Sequence, residues 1–319
     1  MKSLLTADIG ATNSRFGHFG VDAQGVLQLI KTTWLPTRNA TSFGDLLQQL
    51  RAQDFSLAPD EADLAVFAVA GPVEGGTYSA PPYIAWDIDV SKAWEDFGLR
   101  RVLLINDFVA QAFACASPVM ASALPVLAGE VDENSAKAVI GAGTGLGQAT
   151  LLPDGTGGYL PAPSEGGHAS FPFESAKEFA YMDFHLQEVG GPYVTGNTVV
   201  SGRGLSLVHE FLTGEKLEPA QLEACAHPDS ETVRWMARFY ARACRNYALQ
   251  VLAMGGVYVA GGVAAKLPCL VTNGEFAQEF RRSQTMARVL AKIPVFLNQN
   301  EESGLWGAAM KALQELRTG

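Results

Sequence analysis

Asn106-Asp107, which closes the apolar run RVLLI, has the two groups needed to handle a hydroxyl. The carboxylate can take the proton, and the amide can hold a neighbouring hydroxyl. The same pair also suits the cap of a helix that starts there. A second acid, Asp8, ends another apolar run and opens Asp8-x-Gly10-x-Thr12-Asn13-x-Arg15. That stretch reads either as the polar tip of a hairpin or as a grip on phosphate. Residues 141–147, GAGTGLG, offer backbone N–H groups and the Thr144 hydroxyl to a phosphate, and read equally well as turn geometry. They are not a dinucleotide fingerprint. The third glycine position falls on Leu146 or Gln148, and a β-rich run follows where a helix is required. Glu165-Gly-Gly-His168 spaces two polar side chains with glycines, so that both can converge on one small polar molecule. With no third ligand at metal spacing, it does not make a zinc site. There is no Gly-Lys-Ser/Thr loop, no G-x-S-x-G and no H-E-x-x-H, so hydrolase chemistry finds no nucleophile.

The elements that would carry these residues are strands with turns at their ends. Strands are predicted over Leu4–Ile9, Ser14–Gly20 and Gly25–Pro36, the first two forming a hairpin around the Asp8 motif. Residues 42–53 have helical spacing at Phe43, Leu46, Leu47 and Leu50. Asp63–Ala70 and Arg101–Ile105 read as strands buried on both faces, with a helical stretch over Val90–Phe97 between them. An Ala-rich helix follows Asn106-Asp107. The pattern then partly repeats. Lys137–Ile140, the glycine turn and QATLL form strand, turn and strand, and Val257–Ala260 runs into Gly261-Gly262. Alternating strands and helices define an α/β protein. Helix Glu231–Met254 carries Arg234, Arg238 and Arg242 at four-residue spacing, read as a solvated face. Gly304–Leu316 is a last amphipathic helix.

A chain of 319 residues, 48% apolar and 18% charged, is long enough for two lobes. A formal charge of −10 disfavours nucleic acid or an acidic membrane surface as partner. The four cysteines show no metal or Cys-x-x-Cys spacing and read as reduced thiols. Ala248–Ala265 is nearly charge-free, but its paired glycines indicate a helix end, a buried strand and a turn rather than a membrane span. No secretory signal is read in MKSLL, and a cytoplasmic protein is expected.

Taken in order, DIGATNSRFG, INDF, GAGTGLG, SEGGH, SGRGL at 201–205 and YVAGGV closely resemble the bacterial glucokinases of the actin/hexokinase/Hsp70 superfamily, over essentially the whole chain. The resemblance implies an α/β fold of two actin-like (ribonuclease H-like) lobes. These would be mixed sheets flanked by helices with an interlobe cleft, a small lobe of 1–108 plus 299–319 and a large lobe of 109–298. It implies phosphorylation of glucose at the 6-hydroxyl with ATP and Mg²⁺, in a homodimer. By the same resemblance Asp107 would be the general base, and Asn106, Glu165, His168 and the residue at 197 would contact the sugar. Asp8, Gly10, Thr12, Asn13, Arg15, Gly143, Thr144, Gly145, Gly261 and Gly262 would serve ATP, with Asp8 acting indirectly on Mg²⁺. Two positions depart from the family pattern. Asn197 stands where a Glu is usual, and Tyr83 of Pro82-Tyr83-x-x-Trp86 where an Asn is. Both bear on the sugar side, so a kinase of altered sugar specificity or a non-catalytic sugar sensor stands as the alternative expectation.

Overall fold

The computed structural model describes residues 2–318, which form two compact units. The first runs to Ala121 and takes in the segment from Asn300 onward; the second is Ser122–Gln299.

In the first unit, β1 (Lys2–Ile9), β2 (Asn13–Val21) and β3 (Leu27–Pro36) form an antiparallel meander. β4 (Leu64–Val69) and β5 (Val102–Asn106) add in parallel, giving the order β3-β2-β1-β4-β5. Period-two alternation sends Leu5, Ala7 and Ile9 of β1 to one face, where they share a core with Phe43, Leu46 and Leu47 of α1 (Phe43–Arg51). Thr6 and Asp8 face the other way, toward the C-terminal helix Ser303–Thr318. That helix also packs Trp306 edge-on to Phe19 and crosses α2 (Asp107–Ala114) at very close range, because Gly307 has no Cβ to meet the Ala110 carbonyl. The stretch read as helical over Val90–Phe97 is helix only at Ala93–Phe97, since Asp89 Oδ1 first binds the Ser91 N–H in a local turn.

The second unit repeats the plan. β6 (Leu124–Leu127) is an added edge strand. β7 (Lys137–Ala142), β8 (Leu146–Pro153) and β9 (Tyr159–Ser164) form the meander, and β10 (Val257–Ala260) and β11 (Val295–Leu297) the parallel side. The order is β9-β8-β7-β10-β11-β6. On it lie α3 (Ala176–Val189), α4 (Gly196–Val199), α5 (Gly202–Thr213), α6 (Glu231–Val251) and α8 (Gly274–Arg281), with the short α7 (Gly262–Lys266) following β10. The charge-free stretch is the end of α6, then β10 and a glycine turn, and no helix among the described residues is long and apolar enough to cross a membrane.

The arginine row on α6 is not a solvated face. Arg234 is exposed, Arg238 half-buried and Arg242 only 1% exposed. A step of four residues overshoots one turn by about 40°, so the row swings some 80° from first to last, off the solvent side and under α3 and α8. There Arg242 donates from Nη1 and Nη2 to Glu178 at 2.7 and 3.1 Å and from Nε to Glu279 at 3.0 Å; Arg245 Nη1 also donates to Glu279 at 2.8 Å.

Candidate active site

In the first unit, Asp8 sits at the end of β1, in register with Arg15 on β2 and Ala68 on β4. Gly10 N–H donates to the Asn13 carbonyl at 3.1 Å, which closes the turn and leaves Thr12 and Asn13 exposed at its tip. The Asp8 carboxylate lies against Gly304 in the first turn of the C-terminal helix, where a Cβ would come within 2.6 Å of Oδ2. A helix N-terminus favours a negative charge. Burial pushes the Asp8 carboxyl up from its ordinary 3.8, and the Arg15 cation pulls it back. The Arg15 guanidinium itself lies 3.7 Å from the centre of the Trp34 ring and donates to Glu301 at 3.4 Å. Its planar face is therefore covered by an aromatic ring, and an Nη2 proton at its edge is directed at a carboxylate.

At the end of β5, Asn106 is the N-cap of α2, its Oδ1 accepting from Phe108 N at 2.9 Å and Val109 N at 3.2 Å. The cap reading is correct, and it is half of the arrangement. Asn106 Nδ2 donates to the Gly71 carbonyl and to Asp107 Oδ1, both at 2.9 Å, so the capping side chain also orients the carboxylate beside it. Asp107 Oδ1 further accepts from Phe108 N at 2.9 Å. Tyr83 is 66% exposed, whereas Trp86 of the same loop is anchored through Nε1 to the Ala40 carbonyl at 2.9 Å.

In the second unit three motifs far apart in sequence meet at one residue, the buried Leu146. The GAGTGLG turn is closed by Gly143 N–H donating to the Gly145 carbonyl at 2.8 Å. Leu146 N–H donates to Asn197 Oδ1 at 2.8 Å. The Leu146 carbonyl packs so tightly on the backbone of Gly167 that a Cβ there would stand 2.1 Å from it. From the far side, Gly202 N–H donates to the Gly143 carbonyl at 3.0 Å. Gly167 of SEGGH is thus required by backbone contact and Gly145 of GAGTGLG by the Asn197 side chain, while Gly143 itself has nothing within 4 Å of where a side chain would start and Thr144 is exposed. That face of the turn can receive a ligand. Glu165 and His168, brackets of the 3₁₀ turn Gly166–His168, bring Oε2 and Nε2 to 3.8 Å on the surface. Gly261, at φ +85°, lies against Ala142, and Gly262 opens α7 with free space before it.

Several residues that hold this set were not legible in the sequence. Tyr240 on α6 accepts from Ala142 N at 3.0 Å and donates to the Ala260 carbonyl at 3.4 Å, tying together the strand ends that carry the Gly143 and Gly261 turns. Its burial drives the phenol far above its ordinary range, so it stays a neutral donor and acceptor. His185, Thr198 and Gly304 were missed for the same reason: a lone Tyr, His, Thr or Gly in a helix has no spacing that marks it.

Two sheets that share a five-strand order, each with a glycine turn after the first strand of its meander, define an actin-like sugar-kinase fold. A glucokinase from an Antarctic psychrotroph superposes with a TM-score of 0.84 at 26% identity, covering 99% of both chains. A ROK family glucokinase from Streptomyces griseus, solved with glucose and AMPPNP, shares the fold with a TM-score of 0.63 at 19% identity. The glucokinase family model matches residues 5–315. The curated glucokinase of Pseudomonas paraeruginosa is 31% identical over 330 residues, covering 99% of this chain and 95% of that protein. That of Nostoc punctiforme is 28% identical over 354 residues, covering 98% and 99%. The chain belongs to the glucokinase family.

Proposed function

We propose that this protein transfers the γ-phosphoryl group of ATP to the 6-hydroxyl of glucose. The observation that carries the reading, within a chain of this family, is the carboxylate of Asp107 held in place by the Asn106 cap at a strand end. Phosphoryl transfer asks for positioning and charge stabilisation, with a carboxylate to take the hydroxyl proton. The sugar oxygen forms a bond to the γ-phosphorus as the bond from that phosphorus to the β,γ-bridging oxygen breaks. The proton passes to Asp107, and ADP leaves. Asn106, with both amide protons and its oxygen engaged, orients Asp107, and Glu165 and His168 are proposed as sugar contacts. The exposed tips Gly10–Asn13 and Gly143–Gly145 offer N–H and hydroxyl donors to the phosphates, and Gly261-Gly262 borders the nucleotide.

Mg²⁺ fits the residues present. It binds through few carboxylates and keeps waters and substrate phosphates as its other ligands. Asp8 is a single acid at the phosphate turn, and no cluster of three ligating side chains exists among the described residues. When bound, the ion neutralises phosphate charge. Unbridged Cys225, Cys244 and Cys269 suit a reducing cytoplasm, where the product would enter glycolysis. Assembly as a homodimer is part of the proposal and is read by light scattering.

The test is ADP release over a panel of hexoses with ATP and Mg²⁺. Glucose should be turned over; no turnover of any hexose would sink the reading.

A further inference from the structure

The second unit places a chain of polar groups, buried at Tyr181 and His185 and half-buried at Thr198, behind the glycine turn that the reaction as read above does not use. Tyr181 on α3 donates to His185 Nδ1 at 3.1 Å, and His185 Nε2 lies 2.9 Å from Thr198 Oγ1 on α4. Thr198 Oγ1 in turn donates to the Thr195 carbonyl at 3.1 Å. With the Thr198 proton spent there, its oxygen accepts from Nε2–H, and Nδ1 accepts from the tyrosine, so one neutral tautomer satisfies every member. The product is a fixed one-turn helix whose next side chain, Asn197, reaches the Leu146 N–H at 2.8 Å. Asn197 also fills the space over Gly145, where any Cβ would fall 2.1 Å from its Oδ1. It lines a cavity of about 340 Å³ together with His168 and His185.

We infer that Asn197, seated by Thr198 and His185, is a positioning residue for the phosphate-binding turn at 143–146, rather than a direct acceptor for the sugar. Its Oδ1 is aimed at the backbone of the turn, 2.8 Å from the Leu146 nitrogen, and lies over Gly145. The departure from Glu at this position therefore acts on nucleotide binding. The inference rests on the reading of 143–145 as a phosphate turn.

The experiment is calorimetric titration of Mg·ADP and, separately, glucose into the wild type, Asn197→Ala, Asn197→Asp and Thr198→Val. An unsatisfied buried donor corresponds to a loss on the order of tenfold. Asn197→Ala should weaken ADP about that much and leave glucose within about threefold. Asn197→Asp keeps an acceptor and should restore ADP binding, and Thr198→Val should weaken ADP partway. Should Asn197→Ala fail to fold, Asn197→Ser supports the same comparison. Glucose affinity falling as much as ADP affinity, or neither changing, overturns the inference. A wild type that binds ADP but phosphorylates no hexose defeats the kinase reading, and the ADP comparison still decides the role of Asn197.

Discussion

At the scale of residues, the proposed chemistry concentrates on two adjacent side chains with different tasks. Asp107→Asn keeps the size and removes the proposed base; kcat with glucose should fall by about 10²–10⁴ with a much smaller change in glucose KM, measured by coupled ADP release. Full retention of kcat would remove Asp107 from the base role. Asn106→Ala acts twice. Losing the two capping bonds of Oδ1 should cost about 1 kcal/mol in denaturant unfolding, and losing the bond from Nδ2 should lower kcat by freeing the Asp107 carboxylate. Asn106→Asp keeps the cap acceptor and loses the donor, so it should recover stability without recovering kcat. Sequence reasoning identified this pair but left cap and chemistry as alternatives. Both are local inferences; the structure shows that one amide caps the helix and also bonds the Asp107 carboxylate, the contact on which the proposed base role rests.

At the scale of elements, stability depends on a few buried hydroxyls and imidazoles that join strand ends to helices. Tyr240→Phe leaves the Ala142 N–H without its acceptor and should destabilise by about 1–3 kcal/mol in urea, with the ATP KM rising because two glycine turns lose their common tether. His185 is buried neutral, its pKa pushed from 6.5 down to about 4, chiefly by burial and also by the nearby Arg203 cation. The unfolded chain therefore binds a proton first as pH falls, and stability is lost between about 6.5 and 4, on the order of 3 kcal/mol in all. Urea midpoints measured at pH 7 and pH 5 should fall less in His185→Gln than in the wild type. None of these contacts follows a period. Strands and helices were readable because burial recurs every two or 3.6 residues, whereas Tyr240 meets a partner 98 residues away. Arg242 shows the converse: its four-residue spacing is visible, but the accumulated rotation that buries it between Glu178 and Glu279 depends on what packs there.

For the whole molecule, the repeated strand order gives the meander of each unit a first strand that ends in a glycine turn, and family membership follows from a match over residues 5–315. Ligands that bind only the folded state raise its stability by mass action, so glucose at about 100 times its Kd should add roughly 2.7 kcal/mol. The thermal midpoint should rise with glucose and with Mg·ADP added separately, read by scanning calorimetry, and no rise with either would count against binding. The α/β class, the hairpins with their glycine tips and the Asn-Asp pair at a strand end were determined by the sequence itself, because hydrophobic period and turn chemistry act over a few neighbouring residues. The meeting of GAGTGLG, SEGGH and Asn197 at Leu146, the turn of Arg242 into the core and the polar line from Tyr181 to Thr198 were decided by the tertiary structure alone. Each depends on backbone approach and hydrogen bonds between separate elements, from 13 residues apart for His185 and Thr198 to 64 for Glu178 and Arg242, and local sequence does not encode that approach.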